Sequence, residues 1–182
     1  MKKEVIASVA AALVLCFVNC VTLAWLTDKT DSVVNTFTVG NVDIKLKETT
    51  ENYKMIPGCT IAKDPTVTVT KDSEDCWLFV KVEKSENFDT FMTYDMANGW
   101  TPLESESGVF YRQVTNSAAD QTFAVLKDNS VTVNDTVDKA MMDDLKSDTF
   151  PTLTFTVYAV QQHKSSEADF SPAEAWKTVS AA

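Results

Sequence analysis

Histidine is nearly missing from this chain. His163 is the single one in 182 residues. A His-Glu-x-x-His zinc site is therefore excluded, and a zinc hydrolase is short of its usual protein ligands. His163 has no evident partner in the sequence, so no Ser-His-Asp set forms around it. Glycine is scarce too: Gly40, Gly58, Gly99 and Gly108 are the only four, and they make no phosphate-binding loop. Of the four cysteines, Cys16, Cys20, Cys59 and Cys76, the last two show neither a redox Cys-x-x-Cys nor a zinc spacing. Basic residues number 16 against 26 acidic ones, for a net charge of −10. That balance leaves no basic footprint and excludes nucleic acid as a partner. Long apolar runs are limited to one, at the N-terminus, so no second membrane helix is expected. An LPxTG-type wall-sorting pattern is lacking as well.

What is present starts at that run. Lys2 and Lys3 form a positive n-region, and Val5 to Val21 is mostly apolar. Thr22-Leu23-Ala24 then places small residues at −3 and −1 of a signal-peptidase site, with Trp25 as the new N-terminus. Residues 1–24 read as a cleavable signal helix and 25–182 as one secreted domain. Cleavage removes Lys2, Lys3 and Glu4, which brings the net charge from −10 to −11. The alternative is an uncut signal that serves as an anchor. Cys16 and Cys20 would leave with the signal. Cys59 and Cys76 remain, either as a disulfide, stabilising by roughly 3 kcal/mol through chain entropy, or as two separate buried thiols.

The mature chain has the pattern of an antiparallel sandwich: short alternating runs of Thr, Val, Phe and Tyr, divided by Asp, Asn, Ser and Gly clusters. Phe37 and Val39 share a face of a first strand. Gly40-Asn41 shifts the phase as a bulge or bend, and Val42, Ile44 and Leu46 continue on one face. Pro57-Gly58 is a turn, Pro65 to Thr70 a strand, and Asp72 to Asp75 a polar turn. Cys76 to Glu83 is a central strand, apolar on both faces and so covered on both. Lys81 within it faces outward. Phe88 to Gly99 is a short strand or a loop. Val109 to Val114, Gln121 to Lys127, Ser130 to Val133 and Thr152 to Gln162 are strands. Two helices are expected at the margins. Val137 to Lys146 changes to helical spacing. Ser171, Pro172 and Glu174 make a capping box that places Trp176 and Val179 against the body.

Several segments, in order, carry a resemblance. They are Ala24-Trp25-Leu26-Thr27-Asp28; Asn35 to Asp43; Pro57-Gly58 with Lys63-Asp64-Pro65; Trp77 to Val82; Gly99-Trp100; Val109 to Arg112; Pro151 to Phe155; and Tyr158 to Gln161. Together they resemble the TasA/camelysin-like proteins, which are secreted by Gram-positive bacteria and lose their signals to a SipW-type signal peptidase. The resemblance implies an all-β, jelly-roll type sandwich with short marginal helices. It also implies a structural role in a biofilm matrix or at the cell surface, as fibres. The partners implied are the peptidase, further copies of the chain, and other matrix or surface components. Some camelysin-like proteins are described as metalloproteases, but no catalytic residue of such an enzyme carries over here. No enzyme activity, cofactor or metal is expected.

Two further readings concern surfaces. Asp135, Asp138, Asp143, Asp144 and Asp148 crowd the first expected helix and suit either a solvated face or Ca²⁺. A monomeric surface-binding module would use loop residues such as Trp100 and Phe110. For assembly, the freed N-terminus is a candidate donor strand. Trp25, Leu26, Val33, Val34, Phe37 and Val39 would complete a neighbour's sheet, or pair within their own.

Overall fold

The computed structural model describes residues 27–30, 42–49, 53–165 and 168–181. The signal, its cleavage residues Thr22, Ala24 and Trp25, and the donor candidates Leu26, Val33, Val34, Phe37 and Val39 lie outside the described residues, as does the Gly40-Asn41 bend. The rest is an all-β, antiparallel sandwich with three short helices, as expected. Among the described residues no helix is long and apolar enough to cross a membrane.

One layer is a five-stranded sheet. Its order is β1 (Thr27–Thr30), β11 (Leu153–Gln161), β5 (Cys76–Lys84), β8 (Val109–Val114) and β7 (Thr101–Pro102). β5 and β11 pair over nine residues, from Leu153 opposite Lys84 to Gln161 opposite Cys76. Alternation explains why this pair is central. Cys76, Leu78, Val80 and Val82 point to one face with Phe155, Val157 and Ala159. Trp77 and Phe79 point to the other with Tyr158 and Val160. Both faces are apolar because both are covered.

The second layer consists of two three-stranded sheets joined end to end. In one, β4 (Thr66–Val69) lies between β2 (Ile44–Lys47) and β9 (Gln121–Ala124). In the other, β10 (Ser130–Val133) lies between β3 (Thr60–Ala62) and β6 (Met92–Thr93). β3 runs into β4, and β9 into β10. Across the breaks, Val125 N–H donates to Pro65 O at 2.9 Å and Lys63 N–H to Asn129 O at 2.8 Å. The layer is thus continuous but bent. Asp128 and Asn129, at φ 54° and 50°, make the bend, a backbone region that Asp and Asn tolerate better than most residues. Ile44, Val67, Val69, Val131 and Val133 close the inter-sheet core.

The outer face of the five-stranded sheet is covered by α3 (Pro172–Ser180). Ser171 Oγ accepts from Glu174 N–H, and the Glu174 carboxylate accepts from Ser171 N–H, the expected capping box. Ala175, Trp176 and Val179 are buried. Trp176 stands edge-on to Tyr158, with centroids 5.1 Å apart, and tilts against Phe79 at 5.4 Å. The hairpin of β12 (His163–Ser165) and β13 (Ala168–Asp169) leads into it.

Two segments add detail that their sequence pattern leaves open. Phe88 to Gly99 holds a one-turn helix, α1 (Phe88–Phe91), followed by β6. Phe88 and Phe91 sink into the core three residues apart, a helical period hidden in a short stretch. The other expected helix is α2 (Lys139–Asp143), capped by Asp138 Oδ1, which accepts from Met141 N–H at 2.8 Å.

Candidate functional site

The four edges of the two layers are closed in different ways, and the differences single out one. β7 covers the outer side of β8 with two residues, one of them Pro102, which has no N–H to offer. Behind it Gly108 approaches β5 so closely that a Cβ there would lie 2.8 Å from Val82 O. β2 is an edge of the second layer and presents exposed Lys45 and Lys47, charges that discourage added strands. β6 is two residues long.

β1 is different. It pairs with β11 from Thr27 opposite Val160 to Thr30 opposite Val157, four residues of a nine-residue strand. It also lies near β2 and α3, at the seam of sheet, second layer and helix. Within the single chain, Thr27–Thr30 pairs in its own sheet.

The helix beside β1 is pinned by charge. Lys164 Nζ reaches Glu174 Oε1 at 2.5 Å. That bond, with the N–H and hydroxyl of Ser171, holds the Glu174 carboxyl down to about 2. Trp77 Nε1–H donates to Phe170 O at 2.8 Å and ties the helix entry to β5.

His163 does have partners. Its Nδ1 lies 2.5 Å from Asp169 Oδ1, and its Nε2 lies 3.7 Å from Asp75 Oδ2. Hydrogen bonds from Gln162 and then His163 lower the Asp169 carboxyl. With a carboxylate on each side of the ring, the cluster is a hydrogen-bonded clasp at the β12–β13 hairpin. Asp75 is remote in sequence, which hides it from a local reading.

Cys59 and Cys76 are both free, so of the two alternatives the fold has separate thiols, only one of them buried. Cys59 is exposed before β3, whereas Cys76 is buried at the start of β5 in the other layer. Burial pushes the Cys76 thiol up to about 12.

Trp100 is corrected too. It is buried rather than presented on a loop, and its Nε1–H donates to Ala124 O at 2.8 Å. Arg112 lies over it, with Cζ 5.2 Å from the Trp100 ring and 3.9 Å from the Phe123 ring. Burial lowers its pKa. A Cβ on Gly99 would come within 2.9 Å of Arg112 Nη2. Phe110 is half-buried beside Pro102. The pair therefore offers no exposed aromatic platform.

Two residues of the acidic cluster are engaged locally: Asp138 caps α2 and Asp143 pairs with Lys139 at 2.5 Å. Among the described residues no three His, Cys, Asp or Glu side chains are placed to hold a metal ion. Lys81 faces out and bonds Glu83 Oε1 at 2.8 Å.

A cavity that no sequence motif announces, of about 760 Å³, opens where β3, β6, β10 and the start of β11 meet the segment after α2. Lys63 stands in its wall with Nζ 2.6 Å from Glu48 Oε1. Tyr53 Oη donates to the same carboxylate oxygen at 2.7 Å.

No family model matches the chain, and comparison with curated proteins and with solved structures gives no match either.

Proposed function

We propose that the chain is a secreted structural protein of the extracellular matrix or cell surface of a Gram-positive bacterium, assembling into fibres by strand addition. The observation that supports this most is the place of β1. Among the described residues it stands at the edge of the five-stranded sheet, on β11. An edge strand close to the cleavage site is the element most readily exchanged for its counterpart from a second copy. The exchanged strand makes the same backbone bonds, so the main cost is lost translational freedom. Alternate side chains set the register. Each copy gives at one place and accepts at another, so the contact need not close and a filament grows.

SipW-type cleavage between Ala24 and Trp25 would release the donor. While the signal stays attached, the membrane holds the segment and assembly waits. The other edges favour this choice, because a proline at β7 and lysines on β2 both oppose strand addition.

The test is deletion of Trp25 to Ser32 from the exported protein, with electron microscopy of polymers and circular dichroism of the subunit. Loss of fibres from a folded subunit is the expected result. Fibres of unchanged length rule out donation, and an unfolded subunit assigns β1 a purely in-domain role. N-terminal sequencing of the wild type should begin at Trp25.

A further inference from the structure

The cavity beside Lys63 has the size and lining of a small-molecule site. Its volume, about 760 Å³, falls within the range of small-molecule sites, roughly 300–1,000 Å³. Phe88, Met92 and Val131 are buried lining residues, and half-buried Met55 and Met142 line it too. Methionine walls adapt to a flexible apolar guest. Phe150, also in the lining, is 52% exposed, an aromatic ring left in water beside an apolar hollow.

Charge selects the guest. The protein carries a net charge of −10, yet the residues lining the cavity include two lysines, Lys54 and Lys63, against one acid beside the lining, Glu48, which pairs with Lys63. Lys63 is nearly buried. Its Nζ lies 5.0 Å from the centre of the Tyr53 ring and 5.5 Å from that of Phe155. Glu48 takes one of its three N–H groups, and the ammonium keeps donors for another acceptor. Lys54 adds a second, exposed cation.

We propose that this cavity binds a single-chain anionic amphiphile, a medium-chain fatty acid. The acyl chain lies among the methionine, leucine and phenylalanine side chains, and the carboxylate pairs with Lys63 and Lys54. Burial of the chain supplies the affinity. The lysines supply the preference for a negative head over a neutral or positive one. This inference is independent of fibre formation, since the cavity lies within one chain.

Calorimetric titration of the exported chain with sodium decanoate, decanol and decyltrimethylammonium tests it. The expected result is one decanoate per chain with a dissociation constant below about 0.1 mM, the level an efficient ligand of this size reaches. Decyltrimethylammonium should bind at least roughly tenfold more weakly. Met142→Trp, which narrows the cavity from a half-exposed position, should weaken decanoate binding while leaving the circular dichroism unchanged. Lys63→Gln leaves Glu48 beside the cavity without its cation and should reverse the charge preference. If that variant does not fold, Lys54→Gln, at an exposed site, should still narrow the preference. The proposal is overturned by no saturable decanoate binding below about 1 mM, by equal affinity for all three probes, or by undiminished binding in folded Met142→Trp.

Discussion

The two faces of the five-stranded sheet are buried by different means. On the inner face, Leu78, Val80, Phe155 and Val157 meet the valines and Ile44 of the second layer. That core draws on strands from nearly the whole described chain, so no single segment can leave it alone. On the outer face, Phe79, Tyr158 and Val160 meet one helix of nine residues, through Ala175, Trp176 and Val179. This second core is small, aromatic and dependent on one short helix. The first should therefore behave as the global folding unit and the second as a locally opening one.

The contrast can be broken most severely from the inside. Val80→Asp places an unpaired carboxylate at a fully buried position and should leave the chain unfolded, with loss of the far-ultraviolet circular dichroism of strands. Trp176→Ala removes the centre of the outer cluster. It should cost about 3–5 kcal/mol if the helix and sheet unfold together. If the faces are as unequal as described, native-state hydrogen exchange will instead show α3 open and β5 still protected. Ser171→Ala removes one half of the capping box and should cost about 1 kcal/mol, read as faster exchange confined to α3.

Acid gives a gentler version of the same test. Glu174 is held down to about 2 in the fold, against an ordinary 4.5. Its stabilising effect is therefore complete above about 4.5 and fades as the pH falls from there towards 2. Exchange of α3 amides, corrected for intrinsic rates, should rise over that window more than exchange of β5 amides. The smallest effect concerns thiols. At pH 8, iodoacetamide should modify exposed Cys59 rapidly and leave Cys76, pushed up to about 12, unmodified until denaturant is added.

The same contrast decides what the sequence makes legible. β5 and β11 are legible because their two faces are both apolar, and α3 because Ser171, Pro172 and Glu174 spell out its start. β3 escapes because Thr60, Ile61 and Ala62 are at most partly buried, so burial leaves no alternating mark. Trp100 reads as a loop residue because its neighbours Asn98, Gly99 and Thr101 are loop-like. Its bond to Ala124 is a long-range fact that no local pattern carries. The cavity escapes for the same reason, being assembled from well-separated segments that share no motif. His163 likewise meets Asp75 only through the fold.

The edge position of β1 also has a mechanical meaning. Pull on the N-terminus of a subunit, and the load passes first to the outermost ladder, β1 on β11, and only then to the inner one, β11 on β5. The outermost ladder yields first. A subunit drawn out in this way parts at its seam and keeps its body intact, so the strand can find its groove again when the tension falls. The seam acts as a fuse.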